Sequence, residues 1–150
     1  MTKSNSKIAR MFAEGKTKGK GNHMFIKGDG IYSYGDWYPI AKRGISISES
    51  LKDVYILNSN AYSFTTTRHK QLVFHALNEN GNKIVQMIDC EIGNANLQRK
   101  MNEQMIDDFK EKMKNARTKH GHYKKAINAC EQQNKLIDEH IIPIILARRI

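Results

Sequence analysis

GNHMFIKGDGIYSYGDWYPIAK, residues 21–42, decides how the first half of this chain folds. Met24 to Lys27 and Ile31 to Tyr34 are short runs of apolar, β-branched and aromatic residues flanking Gly28-Asp29-Gly30. Glycines there can supply positive φ, so the segment reads as a β-hairpin. Gly35-Asp36 makes a second turn before Trp37 to Lys42, and Pro39, which lacks an N–H for the ladder, demotes that third strand to an edge or a bulge.

Outward from this block, Val54 to Leu57 and Tyr62 to Phe64 bracket Asn58-Ser59-Asn60 as a further strand pair, giving five short strands and an antiparallel sheet. Thr66 to Leu77 reads as a helix with Leu72, Val73, Ala76 and Leu77 on one stripe, ended by Asn78 to Asn82. Lys83 to Cys90 is open between a last strand and a loop, with Ile84, Val85, Met87 and Ile88 favouring strand. Leu97, Met101, Met105, Phe109 and Met113 recur every four residues on one side of a long amphipathic helix, broken at His120-Gly121. A second helix, Tyr123 to His140, points Ile127, Cys130, Leu136 and Ile137 inward, and Ile141 to Ile150 is an apolar tail interrupted by Pro143.

Before the block, Ser6 to Glu14 has Ile8, Met11 and Phe12 at helical spacing with Gly15 as terminator, and Lys16 to Gly21 reads as a linker. Lys3, Lys7, Arg10, Lys16, Lys18 and Lys20 against Glu14 alone make residues 1–21 a basic arm, either tracking phosphates or solvated and partly disordered. The expected architecture is α+β: an antiparallel sheet in the first half packed against a helix and a C-terminal helical pair. Residues 22–150 are expected to form a single domain, sheet-rich over 22–92 and helical over 93–150.

Composition bounds the function. A formal charge of +10 and a pI near 9.6 favour an anionic partner, nucleic acid foremost. With 39% apolar residues and a mean hydropathy of -0.64, 150 residues can bury a lean core. Two distant cysteines, Cys90 and Cys130, argue against a disulfide framework or Cys-rich zinc site, so a reducing cytoplasm is expected. No apolar run approaches the roughly 20 residues of a membrane span, and the N-terminus lacks the apolar core of a signal peptide.

Asn22-His23-Met24-Phe25, Ile31-Tyr32-Ser33-Tyr34-Gly35 and Tyr38-Pro39-Ile40-Ala41, taken with Asn58-Ser59, Tyr62-Ser63, Thr65-Thr66 and His69, resemble an uncharacterised small domain of bacteriophage, prophage and large-virus proteins. Its members carry Asn-x-Phe, Ile-Tyr-Ser-Tyr-Gly, aromatic-Pro-Ile-Ala and Tyr-Ser-x-Thr-Thr-x-x-His segments. The similarity covers about residues 22–75. Where members often have His before the aromatic-Pro pair, this chain has Trp37. The resemblance implies a viral or mobile-element origin and carries no activity with it.

Three surfaces qualify for an anionic partner. Arg68, His69 and Lys70 follow Thr65-Thr66-Thr67 at the helix opening, where three cations oppose the macrodipole. They form either a phosphate or carboxylate site or a capped helix with solvated bases. Lys110, Lys112, Lys114, Arg117, Lys119, Lys124 and Lys125, with Glu111 alone against them, straddle the His120-Gly121-His122 turn and would give two helices one cationic end. Lys42 and Arg43 close the third strand. Trp37 and Tyr38, beside Pro39, are the candidates for stacking unpaired bases, worth roughly 1–3 kcal/mol each, while Tyr32 and Tyr34 read as packing against the C-terminal helices.

No catalytic motif is visible, and no metal or cofactor is expected. His120 and His122 read as loop histidines, and Cys90 as a small buried hydrophobe. The expectation is a non-catalytic phage or mobile-element protein in the host cytoplasm that binds nucleic acid or a ribonucleoprotein or nuclease complex of the host. An inhibitor of a host defence nuclease, of the anti-CRISPR kind, is one concrete version. The alternatives are a protein-only or homo-oligomerisation module built on the methionine-rich helix and the Ile141 to Ile150 tail, and a small metal-dependent nuclease using Asp89 and Glu91.

Overall fold

The structure, a computed structural model, describes residues 3–33, 38–60, 64–118 and 120–148. The protein is α+β, with a six-stranded, mostly antiparallel sheet followed by helices. It forms two compact units, Met1–Glu91 and Ile92–Ile150.

The first unit opens with α1 (Asn5–Ala13). Ser4 caps it by accepting from the Lys7 N–H at 3.2 Å. At the other end Gly15 takes φ 96°, and the Gly15 and Lys16 N–H groups return to the carbonyls of Phe12 and Met11 at 3.1 and 3.0 Å. This is a Schellman stop, which needs a residue tolerant of positive φ. Ile8 and Phe12 are completely buried, so the helix of the expected basic arm is part of the core. Lys18–Lys20, expected as linker, is strand β1.

Strands β2 (Met24–Lys27) and β3 (Gly30–Ser33) form the expected hairpin, with Lys27 opposite Gly30 and Gly28 at φ 61° in the first turn position. Strand β4 (Pro39–Arg43) lies between β3 and β5 (Val54–Asn58), so Pro39 is not on an edge; it sits where the β3–β4 register shifts, the bulge that a missing N–H permits. Tyr62 and Ser63 of the expected fifth strand lie outside the described residues, and Phe64 begins α2 (Phe64–Glu79). That helix carries the chain back to β6 (Lys83–Met87), which settles the segment left open between strand and loop as a strand and pairs with β5 in parallel. A parallel partner requires such a crossover. The core joins Ile8 and Phe12 of α1, Val73, Ala76 and Leu77 of α2, and Ile26, Ile31, Ile40, Tyr55 and Leu57 of the sheet.

The second unit is an antiparallel helical hairpin of α3 (Ala95–Asn115) and α4 (His120–Leu136). Arg99 holds Asp138 through Nε and Nη2 at 2.7 and 3.1 Å near one end, and Phe109 lies 6.3 Å from Tyr123 near the other. Between them the seam is polar: Gln98 donates to Asn102 at 3.1 Å and Asn102 to Asn134 at 2.9 Å. Leu97, Met101 and Met105, expected on one side of the helix as either core or interface, are 53, 44 and 43% exposed, while Gln98 and Asn102 are buried. A four-residue spacing overshoots the helical turn by about 40° each step, so the stripe drifts off any one face. Ile127, Cys130 and Ile137 are buried as expected. Pro143 does not interrupt the tail: a π-helical turn, Ile137–Ile141, precedes it and the chain runs on as α5 (Ile142–Ala147). Such a turn relocates the hydrogen bond that the proline ring would block.

Candidate nucleic-acid and anion interface

The residues of the α2 opening separate in the structure. Because the helix begins at Phe64, Arg68, His69 and Lys70 fall in its second turn, away from the free N–H groups the expected anion site would have used. Arg68 is exposed. His69 is only 4% exposed, which corrects its reading as a surface base. Its Nδ1 lies 2.7 Å from the Ser33 hydroxyl, and its Nε2 faces the Asn5 side-chain nitrogen at 3.5 Å. The Asn5 oxygen accepts from the His23 backbone N–H at 3.1 Å, so the amide turns its NH2 to His69. Nε2 therefore accepts and Nδ1–H donates to Ser33, a neutral imidazole in one tautomer. Burial, His23 and Arg68, in that order, lower the His69 pKa from the ordinary value, consistent with this state. In that tautomer Ser33 Oγ accepts the hydrogen bond from His69 Nδ1–H.

Beside this pair lies an open cavity of about 470 Å³, lined by Asn5, His23, Thr65, Arg68, His69, Gln71, Leu72 and His75. His23 and His69 stack with ring centroids 6.3 Å apart and planes 19° apart. Thr65, Arg68, Leu72 and His75 line one face of α2 at spacings of three and four, a signal present in the sequence; Asn5 and His23 are added by the fold alone.

Lys70 turns away from the cavity, its Nζ within 3.4 Å of the Ser59 carbonyl and 3.5 Å of the Asn60 carbonyl, and burial lowers its pKa. It belongs to a corner built on Asn58, whose side chain is completely buried. Asn58 donates to the Pro39 carbonyl at 2.8 Å and accepts from the N–H groups of Asn60 and Asp89 at 2.9 and 3.1 Å. Asp89 and Cys90 both have φ 56°, a conformation that costs non-glycine residues energy, and the Asn60 amide donates to the Asp89 carboxylate at 3.0 Å. Tyr38, expected to be available for stacking, is 1% exposed and donates to the Asn60 carbonyl at 2.6 Å. Trp37 lies outside the described residues. Tyr32, expected to pack against helices, is half-buried and stacks on Phe25 across the hairpin, centroids 5.4 Å apart.

At the end of β4, Lys42 pairs with Glu91 at 3.5 Å. Arg43 is 7% exposed and donates to the carbonyls of Gly28 at 2.8 Å, Phe12 at 2.9 Å and Lys16. With Nη1 also 3.9 Å from the Asp29 carboxylate, it is a core staple and not a site for an external anion. Asp89 and Glu91 are thus occupied by Asn60 and Lys42, and among the described residues no three His, Cys, Asp or Glu cluster as a metal site would require.

The turn between α3 and α4 is the other cationic surface. Lys110, Lys112, Lys114, Arg117, Lys124 and Lys125 are all exposed or half-buried, and among the described residues none of them enters an ion pair; Lys119 lies outside those residues. Lys112 and Lys114 sit in the last turn of α3, where cations suit the negative pole. The first turn of α4 has no acid, and Lys124 and Lys125 follow His120 and His122 at its positive pole. Lys112 Nζ lies 5.8 Å from the Phe109 ring. Among the described residues no helix is long and apolar enough to cross a membrane.

No protein-family model, no curated protein and no solved structure matches this chain.

Proposed function

We propose that this chain is a non-catalytic, nucleic-acid-binding accessory protein of a phage or related mobile element. It acts in the host cytoplasm on nucleic acid or on a host complex that handles nucleic acid; inhibition of a defence nuclease is one concrete version of that role. The observation that carries the reading is the α3–α4 turn, where six solvent-accessible cations among the described residues outnumber Glu111 and Asp108, the acids that line the same concavity. Cations gathered on a helix end contact phosphates without reading sequence, releasing counterions as they bind. The origin rests on the resemblance of residues 22–75, and the partner class on the charge.

The test is binding of the full chain to oligonucleotides over a range of salt. Affinity should fall steeply with salt, and Lys124→Ala with Lys125→Ala should weaken binding and flatten the logarithmic salt slope by about 2, roughly one unit for each phosphate no longer neutralised. A slope unchanged by the double substitution would remove the turn from the interface.

The exposure of Leu97, Met101 and Met105 favours a second reading, a protein-only module that docks through α3. Capture of the same host protein from nuclease-treated and untreated lysate, abolished by Met101→Glu and Met105→Glu but retained with the lysine substitutions, would select it over nucleic acid.

A further inference from the structure

We propose that the cavity between the start of α1, the His23 loop and α2 binds the phosphomonoester of a nucleotide. The inference goes beyond the nucleic-acid reading, because it concerns residues of the first unit and stands whether or not the α3–α4 turn touches phosphates.

Among the described residues the lining brings together His23, Arg68 and His75 with the neutral ring of His69, and none of the eight described lining residues is acidic. Neither Arg68 nor His75 enters an ion pair among the described residues. Burial first, and then His23 and Arg68, push His69 toward the neutral form. An anion in the cavity reverses the sign of the charge interaction. Arg68 offers a planar fork of N–H donors, the geometry that matches phosphate oxygens in pairs. Thr65 and Gln71 add a hydroxyl and an amide on the same wall. His69 is the positioning residue: held by Ser33 and Asn5, it fixes the ring on which His23 stacks.

Two features select the ligand class. The cavity, at about 470 Å³, is of the size that takes a whole small organic ligand, larger than a bare oxyanion requires. Its remaining wall, Leu72 with the imidazole faces, is apolar and aromatic enough to lie against a base. A phosphomonoester carries nearly two charges at pH 7, with its second ionisation near 6, so the dianion persists at pH values where histidines begin to protonate. A carboxylate brings one charge at most.

The phosphomonoester has two sources, a free nucleotide or the phosphorylated end of a strand. The experiment follows the histidine ring resonances of the labelled full chain by NMR, titrated with a nucleoside 5′-monophosphate, with its nucleoside, and with one oligonucleotide bearing a 5′-phosphate or a 5′-hydroxyl. The nucleotide should shift the rings of His23, His69 and His75 and move the His69 titration upward, while the nucleoside should not. Arg68→Ala, at an exposed position that leaves the fold intact, should weaken nucleotide binding about tenfold, the effect of removing one charge-assisted hydrogen bond. Lys124→Ala with Lys125→Ala should leave nucleotide binding unchanged, which separates failure of this site from failure of the α3–α4 turn. Preference for the 5′-phosphorylated over the 5′-hydroxyl strand, with tighter binding than the nucleotide, identifies a strand end; equal binding of nucleotide and phosphorylated strand identifies the nucleotide itself. Ring resonances unmoved by nucleotide, moved equally by nucleoside, or moved as much in Arg68→Ala as in the parent chain would overturn the proposal.

Discussion

The guanidinium of Arg43 lies 4.4 Å from the centroid of the Phe12 ring and donates from Nη2 to the carbonyl of that same residue at 2.9 Å. One strand-end cation thereby ties β4 to the last turn of α1, to Lys16 beyond it and to Gly28 of the hairpin turn. A charge this buried is tolerated because carbonyls and an aromatic face replace its water.

Arg43→Ala should therefore destabilise the fold by about 3 kcal/mol, since it strands carbonyls in the interior and removes the cation from the Phe12 face. Arg43→Lys should cost about 1–2 kcal/mol, because an ammonium cannot fork across separated carbonyls. Urea unfolding measures both. Near-wild-type stability for Arg43→Ala would return this residue to the solvent-facing basic set.

Asn58 holds three chain segments with one side chain, reaching the Pro39 carbonyl and the N–H groups of Asn60 and Asp89. Asn58→Ala should cost about 2–4 kcal/mol, as three buried backbone groups lose partners at once. The expected readout is a depressed thermal midpoint with accelerated amide exchange at Asn60 and Asp89. A midpoint within a degree or two of the parent would contradict this.

His69 makes stability depend on pH in a definite direction. Its folded pKa is depressed, first by burial and then by His23 and Arg68, so as pH falls through about 6.5, the ordinary histidine value, the unfolded chain takes up a proton that the native chain refuses. Unfolding free energy should drop from that pH down to the lowered folded value and be unaffected by this group above 6.5. His69→Gln should remove this component of the acid sensitivity, measured as a flatter stability profile between pH 7 and 5. An unchanged profile would assign the acid response to other groups.

Burial drives the Cys90 thiol up to about 12, and its sulfur lies 3.5 Å from the Ile56 carbonyl. Burial raises the Cys130 thiol as well. In native protein at pH 8 Cys90 should react with iodoacetamide only as fast as the chain opens, and urea should restore ordinary reactivity. Rapid modification without denaturant would show that the Asp89–Cys90 turn opens locally.

Elements that depend on neighbouring residues were legible in the sequence. The Gly28-Asp29 hairpin, the stop at Gly15, the bulge at Pro39 and the apolar stripe of α2 follow from local dihedral preferences and the helical period. The direction of β6 was not, because a strand's own residues carry the same alternation in either pairing. The exposure of Leu97, Met101 and Met105 was hidden because an apolar stripe does not say whether its face meets the chain's own core or solvent. At the candidate sites, the Arg68–His75 face and the α3–α4 cations could be read from spacing and composition, whereas the approach of Asn5 and His23 could not.

By itself the sequence determined the Gly28-Asp29 turn, the stop at Gly15, the main helical segments, the α+β class and a surplus of positive charge shared along the chain. Only the tertiary structure decided which charged and polar groups remain available to a partner. Arg43 finds its carbonyls 15, 27 and 31 residues away and His69 meets Asn5 across 64, and Tyr38 is sealed against Asn60. The reason is physical: local preference fixes backbone dihedrals, but the loss of water that turns a surface base into a structural donor depends on atoms that only folding brings together.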